Sequence, residues 1–538
     1  MAELLLAHAD APRTAMLFED QRWSWPEYVA GCAQRAALLT DRLPAGAEPH
    51  VGVLLENTPE YAFWLGAAIL SGATVVGINH TRRGGELARD VRHADCAFVV
   101  TDSSLASLTD GLDLGVTHDR VFVSDSAAYA DVLAAYAGAP APTLDLDPAR
   151  LLLLLFTSGT SGTPKAVRCT QGRLAGISLA VTQMFSLTTQ DVCYIAMPMF
   201  HSNALMAGWG PSVAAGATAA LRQRFSASGF LPDVRTFGAT YANYVGKPLS
   251  YVLATPEQPD DADNPLVRVF GNEGAETDLR RFEERFGCVV TDSYGSTEGG
   301  ASVRRAPDMP PGAFGFLTDG LSVRDQDSGA VCPRAELDDN GRLLNADQAV
   351  GELVNEQGGA AFEGYWKDDE ATAARVRDGA YWTGDLVYAD ADGFLWFAGR
   401  TDDWLRVDGE NIAAAPIERM LLRHPDVLLA AVYAVPDPVT GDQLMAALWL
   451  HDGATFDPRA FAGFLTEQPD LATTWLPRFV RIGELPMTPT GKVLKRQLRA
   501  ERWEDDDVWW RPGREAAYQL LPADERARLD LTTGARAR

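Results

Sequence analysis

At 538 residues the chain has room for several domains, or for one large and one small. Its 46% hydrophobic and 22% charged residues suit a soluble globular fold with ample core. With 73 acidic against 47 basic side chains, a formal net charge of −26, nucleic acid and anionic membrane surfaces are poor partners. Acidic runs such as Glu504-Asp-Asp-Asp507 read as solvated surface. The six cysteines, Cys32, Cys96, Cys169, Cys193, Cys288 and Cys332, are scattered without a CxxC, which fits free thiols in a reducing cytoplasm. The start, Met1-Ala-Glu-Leu-Leu-Leu, lacks the basic opening and long apolar stretch of a signal peptide. A cytoplasmic protein is the expectation.

Residues 51–55 read as a strand, 59–70 as a helix with Thr58-Pro59 at its start, and 74–78 as a strand. The stretch 62–79 is apolar enough to raise a membrane span, but Ser71-Gly72 interrupts it, so a helix ending near Gly72 and then a strand are expected. A helix at 86–93 and a strand at 97–101 follow. Alternating strand and helix implies parallel strands with helical crossovers.

Residues 151–156, five leucines and a phenylalanine, form an apolar run too short for a helix pattern and read as a buried strand. The run empties into Thr157, Ser158, Gly159, Thr160, Ser161, Gly162, Thr163, Pro164 and Lys165. The glycines let the backbone approach a ligand, and Pro164 keeps Thr163 out of helical geometry. Amide donors, hydroxyls and one lysine at the end of a buried strand suit a polyphosphate. The spacing is not that of a Walker loop.

Further on, strand 266–270 runs into Gly271-Asn272-Glu273-Gly274-Ala275. A helix at 278–286 is closed by Gly287, and strand 289–291 runs into Ser293-Tyr294-Gly295-Ser296-Thr297-Glu298. Each Gly-rich polar loop thus directly follows a buried strand. In an open parallel sheet, ligands bind outside the carboxyl ends of the strands, so these loops are expected to share one site.

After about residue 310 the pattern changes to short strands and Asp-Gly turns. Residues 386–388 and 394–397 flank Asp390-Ala-Asp-Gly393, and 404–407 and 410–412 flank Asp408-Gly409, two hairpins. A helix at 416–422, strands at 427–435 and 445–450 and a helix at 459–465 make a final unit. The domain boundary is expected near residues 400–403, dividing the chain into 1–401 and 402–538.

With these loops in hand, the chain resembles the AMP-forming acyl-CoA synthetases of the adenylate-forming superfamily over nearly its whole length. The resemblance rests on Thr157 to Lys165, on Tyr294-Gly-Ser-Thr-Glu298, on Tyr381-Trp-Thr-Gly-Asp385, on Gly399-Arg-Thr-Asp402 and on Pro489-Thr-Gly-Lys492. A narrower similarity is to the fatty-acid transport protein and very-long-chain acyl-CoA synthetase branch, whose neighbourhood includes bacterial steroid side-chain CoA ligases. Phe225-Ser-Ala-Ser, Tyr244-Val-Gly246, Gly271-Asn272, Arg406 with Gly409-Glu-Asn-Ile412, and Trp509 with Tyr518-Gln-Leu-Leu carry it.

The resemblance implies an α/β fold with a large N-terminal domain of layered α/β subdomains plus a β-barrel, and a small mobile α/β C-terminal domain. It implies a two-step reaction. A carboxylate attacks the ATP α-phosphate to give acyl-AMP and pyrophosphate; the coenzyme A thiol then displaces AMP, with a domain rotation between the steps. ATP, Mg²⁺ and coenzyme A are the implied cofactors and co-substrates, and a small-molecule carboxylic acid the partner, with a homodimer as a possible assembly.

The same resemblance assigns the Thr157 to Lys165 loop to the β- and γ-phosphates and Glu298 to Mg²⁺, a hard cation that needs a carboxylate oxygen. It gives Thr297 the α-phosphate or substrate carboxylate, Tyr294 the adenine, and the backbone around Gly295, Ser296, Gly271, Asn272 and Glu273 the nucleotide. Read alone, the Tyr294 to Glu298 stretch is better explained as an exposed turn. Asp385 and Arg400 are implied ribose contacts, although Asp385 alone would read as a hairpin-edge carboxylate. Asp402 matches the hinge, and Lys492 the catalytic lysine, a cation placed against charge growing on phosphorus. His201, in Pro198-Met-Phe-His, matches an aromatic–His element beside the acyl tunnel; a lone histidine is more often structural. Arg406 and Gly409 face coenzyme A by resemblance. Asp408 stands where the family often has a basic residue, which puts one phosphate contact in doubt.

Tyr241, Tyr244, Val245, Gly246 and Gly271-Asn272 are implied to line the acyl pocket, where glycines beside aromatics admit a long or wide apolar group. A long-chain fatty acid and a sterol side-chain acid remain comparable candidates. An enzyme that loads a separate carrier protein is one alternative. A non-catalytic nucleotide-binding or lipid-uptake protein is another, against which stand an intact Lys492, Glu298 and phosphate loop.

Overall fold

The computed structural model describes residues 1–142, 147–157, 164–305, 309–310, 312–338, 343–400, 404–407, 410–437, 441–468, 475–488, 492–504, 507–513 and 517–534, with only the backbone at 304, 400, 404–407, 410–413, 437, 441–442 and 530–534. The chain divides into two compact units, Met1–Ser302 with Ala360–Ala374, and Val303–Gly359 with Arg375–Arg538.

The first unit is built on two mainly parallel sheets. One runs Val121–Val123, Phe98–Thr101, His50–Val53, Thr74–Gly77, Leu151–Thr157, and ends with Lys165–Thr170 antiparallel to its neighbour. The other contains, in order, Gln21–Ser24, Thr14–Phe18, Thr218–Leu221, Val192–Ile195, Tyr241–Val245, Arg268–Asn272 and Val289–Gly295; neighbours from Thr14–Phe18 to Val289–Gly295 are parallel, and Gln21–Ser24 is antiparallel to Thr14–Phe18. Strands such as His50–Val53 and Thr74–Gly77 are buried at every position, as parallel strands covered on both faces must be.

Helix Pro59–Ser71 is buried all round from Tyr61 to Leu70, the mark of a helix enclosed by protein. It shares one apolar cluster with helix Trp25–Arg42 and with strands of both sheets. Gly72 ends it in the left-handed region at φ 69°, where a Cβ would be strained. The expected strand follows at Thr74–Gly77, and no helix among the described residues is long and apolar enough to cross a membrane.

One expectation is revised. The loops after Leu151–Thr157, Arg268–Asn272 and Val289–Gly295 do not rise from a single sheet; the first strand belongs to one sheet and the other two to the second. Period and composition identify a strand but carry no information about its neighbours.

The second unit holds an antiparallel sheet in the order Ala313–Phe316, Phe394–Arg400, Ala380–Ala389, Gly351–Asn355, Leu321–Arg324. The expected Asp-Gly turn is present: Asp390 Oδ1 accepts the amides of Asp392 at 3.1 Å and Phe394 at 2.9 Å, and Gly393 takes φ 93°. A further sheet pairs Val427–Asp437 with Gly441–Leu450 and carries helices Ala414–Leu421, Pro458–Glu467 and Lys495–Glu501 in the same unit. The second hairpin, Trp404–Val407 with Glu410–Ala413, is also formed. The fold is therefore the expected mixed α/β type.

Candidate active site

In the first unit the two sheets are brought to one place by the segment after strand Val192–Ile195. Asn57 donates to the Met197 carbonyl and accepts the Met199 amide, each at 2.8 Å. Beyond it, a Cβ on Gly77 would stand 2.9 Å from the Phe200 carbonyl oxygen, so Gly77 is what lets this segment lie against the end of strand Thr74–Gly77. Phe200 and His201 pack ring to ring at 4.3 Å.

Past His201 the Ser202 hydroxyl hydrogen-bonds that of Thr297 at 2.8 Å. The Thr297 carbonyl accepts from the Arg173 guanidinium at 2.6 Å, and the same side chain donates to the Arg168 carbonyl at 2.9 Å. Glu298, next in sequence, accepts from the Tyr365 hydroxyl at 2.9 Å. The Lys165 ammonium lies 5.3 Å from the centroid of that tyrosine ring. Thr157 sits opposite Lys165 in the antiparallel ladder. Thus Thr157, Lys165, His201, Thr297 and Glu298 are brought together although they arise from both sheets. Tyr294 is half-buried, and Gly295 and Ser296 are exposed beside it.

The loop after Arg268–Asn272 is held from the same side. Asn272 donates to the Ser293 carbonyl at 2.6 Å and to its hydroxyl at 3.1 Å. Glu273 takes φ 66°, a region a non-glycine residue seldom occupies. Asp292 accepts the Gly274 amide at 2.8 Å and the Tyr244 hydroxyl at 2.5 Å. Gly271 is the cross-strand partner of Tyr244, and a Cβ there would meet the tyrosine ring at 2.4 Å. Val245 is half-buried; Gly246 has φ 73° and donates its amide to the Asn272 carbonyl at 2.9 Å. Tyr241 is fully buried in the core, its hydroxyl donating to the Ala207 carbonyl at 2.6 Å. Its ring packs on Phe185, which packs in turn on Phe270. That carbonyl belongs to a π-helical stretch, Ala204–Trp209, a form often found at functional sites.

In the second unit Asp385 is buried on strand Ala380–Ala389, its amide donating to the Thr383 hydroxyl at 3.1 Å. Lys492 is exposed, and its backbone is tied to Thr488: its carbonyl accepts the Thr488 amide at 2.7 Å and its amide donates to the Thr488 hydroxyl at 3.0 Å. The side chains of Arg400 and Arg406 are outside the described ones. Ser158, Gly159, Thr160, Ser161, Gly162, Thr163, Asp402 and Gly409 lie outside the described residues.

Among the described residues no three His, Cys, Asp or Glu side chains gather as a metal cage. The donor set at Glu298 nonetheless fits magnesium, which takes one or two carboxylates and completes its shell with phosphate oxygens and water. Sequence reasoning missed Arg173, Ser202, Asp292 and Tyr365. Of these only Tyr365 left a trace, an adjacent aromatic pair with Trp366 in an otherwise polar, Gly-containing stretch.

The chain matches the AMP-binding enzyme family over residues 7–366 and the AMP-binding enzyme C-terminal domain over residues 416–492. It is 50% identical over 514 residues to a steroid-22-oyl-CoA synthetase of Rhodococcus jostii (strain RHA1), covering 95% of this chain and 92% of that protein. It is also 50% identical over 511 residues to the medium/long-chain-fatty-acid–CoA ligase FadD17 of Mycobacterium tuberculosis (strain ATCC 25618 / H37Rv), covering 95% and 98%. Among solved structures, ATP-bound MatB from Rhodopseudomonas palustris superposes with a TM-score of 0.79 at 25% identity, over 93% of this chain and 98% of that one.

Proposed function

Because this chain belongs to the AMP-binding enzyme family, we propose that it is an AMP-forming acid–thiol ligase that joins a large apolar carboxylic acid, a long-chain fatty acid or a steroid side-chain acid, to coenzyme A. The substrate carboxylate oxygen attacks the α-phosphorus of ATP and pyrophosphate leaves with the bonding pair. The coenzyme A sulfur then attacks the acyl carbon of the adenylate, AMP leaves, and the thiol proton is released. The supporting observation is that Thr157, Lys165, Thr297 and Glu298 meet at one place in the first unit, beside His201.

In this reading the Thr157 to Lys165 loop holds the β- and γ-phosphates. Thr297, its hydroxyl fixed by Ser202, aligns the acid against the α-phosphate. Glu298 would hold Mg²⁺, whose charge offsets that of the phosphates when bound. Tyr294, Gly295, Ser296, Gly271, Asn272 and Glu273 enclose the nucleotide; Asp385 and Arg400 take the ribose. Lys492 supplies the cation for adenylation, Asp402 is the hinge within a mobile part spanning residues 402–538, and Arg406 and Gly409 serve the coenzyme A step. Tyr244, Val245 and Gly246 border the acyl group, with Tyr241 supporting that wall from the core. The enzyme works in the cytoplasm.

A panel of carboxylic acids offered with ATP, Mg²⁺ and coenzyme A, read by mass, tests this. Thioesters of long-chain or steroid acids are expected; acetate as the best substrate would overturn the pocket reading. Transfer to a carrier protein but not to coenzyme A would favour the carrier-loading alternative.

A further inference from the structure

Lys165 and Glu298 come from different sheets and are joined by a single side chain from a third stretch of sequence. Segment Ala360–Ala374 groups with the first unit although the chain on both sides of it belongs to the second. It is fastened along strand Lys165–Thr170: Arg168 N–H donates to the Gly364 carbonyl at 3.1 Å and Trp366 N–H to the Ala166 carbonyl at 2.8 Å. Glu363 accepts the Thr170 amide at 2.7 Å and its hydroxyl at 2.6 Å. Between these anchors Tyr365 is buried, packed on Phe362 at 5.0 Å, with its amide donating to the Thr372 hydroxyl at 3.0 Å. Its ring has little freedom to move.

We propose that Tyr365 is a positioning residue for the metal–phosphate part of the site. Its hydroxyl donates to Glu298 Oε1, a charge-assisted bond that fixes the carboxylate and leaves Oε2 for a hard cation. Its ring face lies within cation–π range of Lys165, which fixes where the ammonium stands. One rigid ring therefore holds the phosphate-binding cation and the metal-binding carboxylate in place before nucleotide arrives. The proposal rests on the reading of Glu298 and Lys165 given above. Outer partners that orient a metal ligand are worth about 10–100-fold in metal affinity or activity.

The test compares the intact protein with Tyr365→Phe, Tyr365→Leu and Glu298→Gln. Binding of ATP is followed by calorimetry and by the shift in Tm, in EDTA and across a Mg²⁺ titration, alongside pyrophosphate release. Tyr365→Phe keeps the ring under Lys165 and loses only the hydroxyl. It should need about tenfold more Mg²⁺ for half-maximal effect while binding ATP in EDTA as the parent does. Tyr365→Leu should weaken ATP binding in EDTA as well. A merely structural tyrosine would lower the Tm of the ligand-free variants and leave their Mg²⁺ dependence unchanged; that result overturns the proposal. If Glu298→Gln raises the Mg²⁺ requirement and Tyr365→Phe does not, the role of Tyr365 alone fails. An unchanged requirement in Glu298→Gln removes the reading of Glu298 and the proposal together.

Discussion

The hydroxyls of Ser202 and Thr297 meet at 2.8 Å, joining the segment after Phe200-His201 to the loop after strand Val289–Gly295. Arg173 grips the Thr297 carbonyl from the other side, so both the backbone and the side chain of Thr297 are fixed. In the proposed reaction a hydroxyl held this way would offer one hydrogen bond to the reacting acid or phosphate. Thr297→Val should cut pyrophosphate release about 100-fold, the scale of losing one placed donor. Thr297→Ser should keep most of the rate. Equal losses in both would mean that the methyl, not the hydroxyl, matters.

Gly271 faces Tyr244 across two parallel strands, and its missing Cβ is the space the tyrosine ring occupies. Gly271→Ala places a carbon 2.3 Å from the Tyr244 carbonyl oxygen and 2.4 Å from its ring. Overpacking of this kind costs about 1–3 kcal/mol. The variant should melt lower and, with Tyr244 pushed off Asp292, bind the acid more weakly. Thermal unfolding and separate titrations of acid and nucleotide check it; an unchanged Tm would mean that the strands move apart without strain.

Lys492→Ala should slow acyl-adenylate formation by roughly a hundredfold, a few kcal/mol of lost charge stabilisation. Thioester formation from supplied acyl-adenylate should be nearly intact. Gly409→Leu should do the reverse. Rapid-quench measurement of the two half-reactions separates the variants, and equal loss of the same step in both would refute an alternation of the two arrangements.

The cysteines give a fourth expectation. Burial pushes the thiols of Cys32, Cys169 and Cys288 up to about 12, and those of Cys96 and Cys193 higher still. Cys332 is the one that is not fully buried, and it too is raised by desolvation. Since the thiolate is the nucleophile, alkylation of the native protein at pH 8 should be slow and reach Cys332 first. Mass spectrometry of labelled peptides would show it; early labelling of Cys169 would place the protein in a looser state than the one described.

Sequence pattern alone located strand Leu151–Thr157, helix Pro59–Ser71 and its end at Gly72, and the Asp390–Gly393 turn, because each is set by neighbours a few residues away. The identity of the site residues came from motif resemblance rather than from local physics: Asp385 and His201 read alone are ordinary structural residues. What was not legible is what long-range packing decides. The sheet that each strand joins, the grip of Arg173 on the loop of Thr297, and the approach of Tyr365 to Lys165 and Glu298 leave no periodic signal. Tyr365 is separated from both partners by long stretches of chain, and only the folded path of Ala360–Ala374 brings it there.

The central claim is most directly tested by the nucleotide product. Purified protein incubated with ATP, Mg²⁺, coenzyme A and a long-chain fatty or steroid side-chain acid should yield AMP, pyrophosphate and the acyl-CoA thioester in equal amounts, with acyl-AMP accumulating when coenzyme A is withheld. ADP and orthophosphate as the products would contradict it.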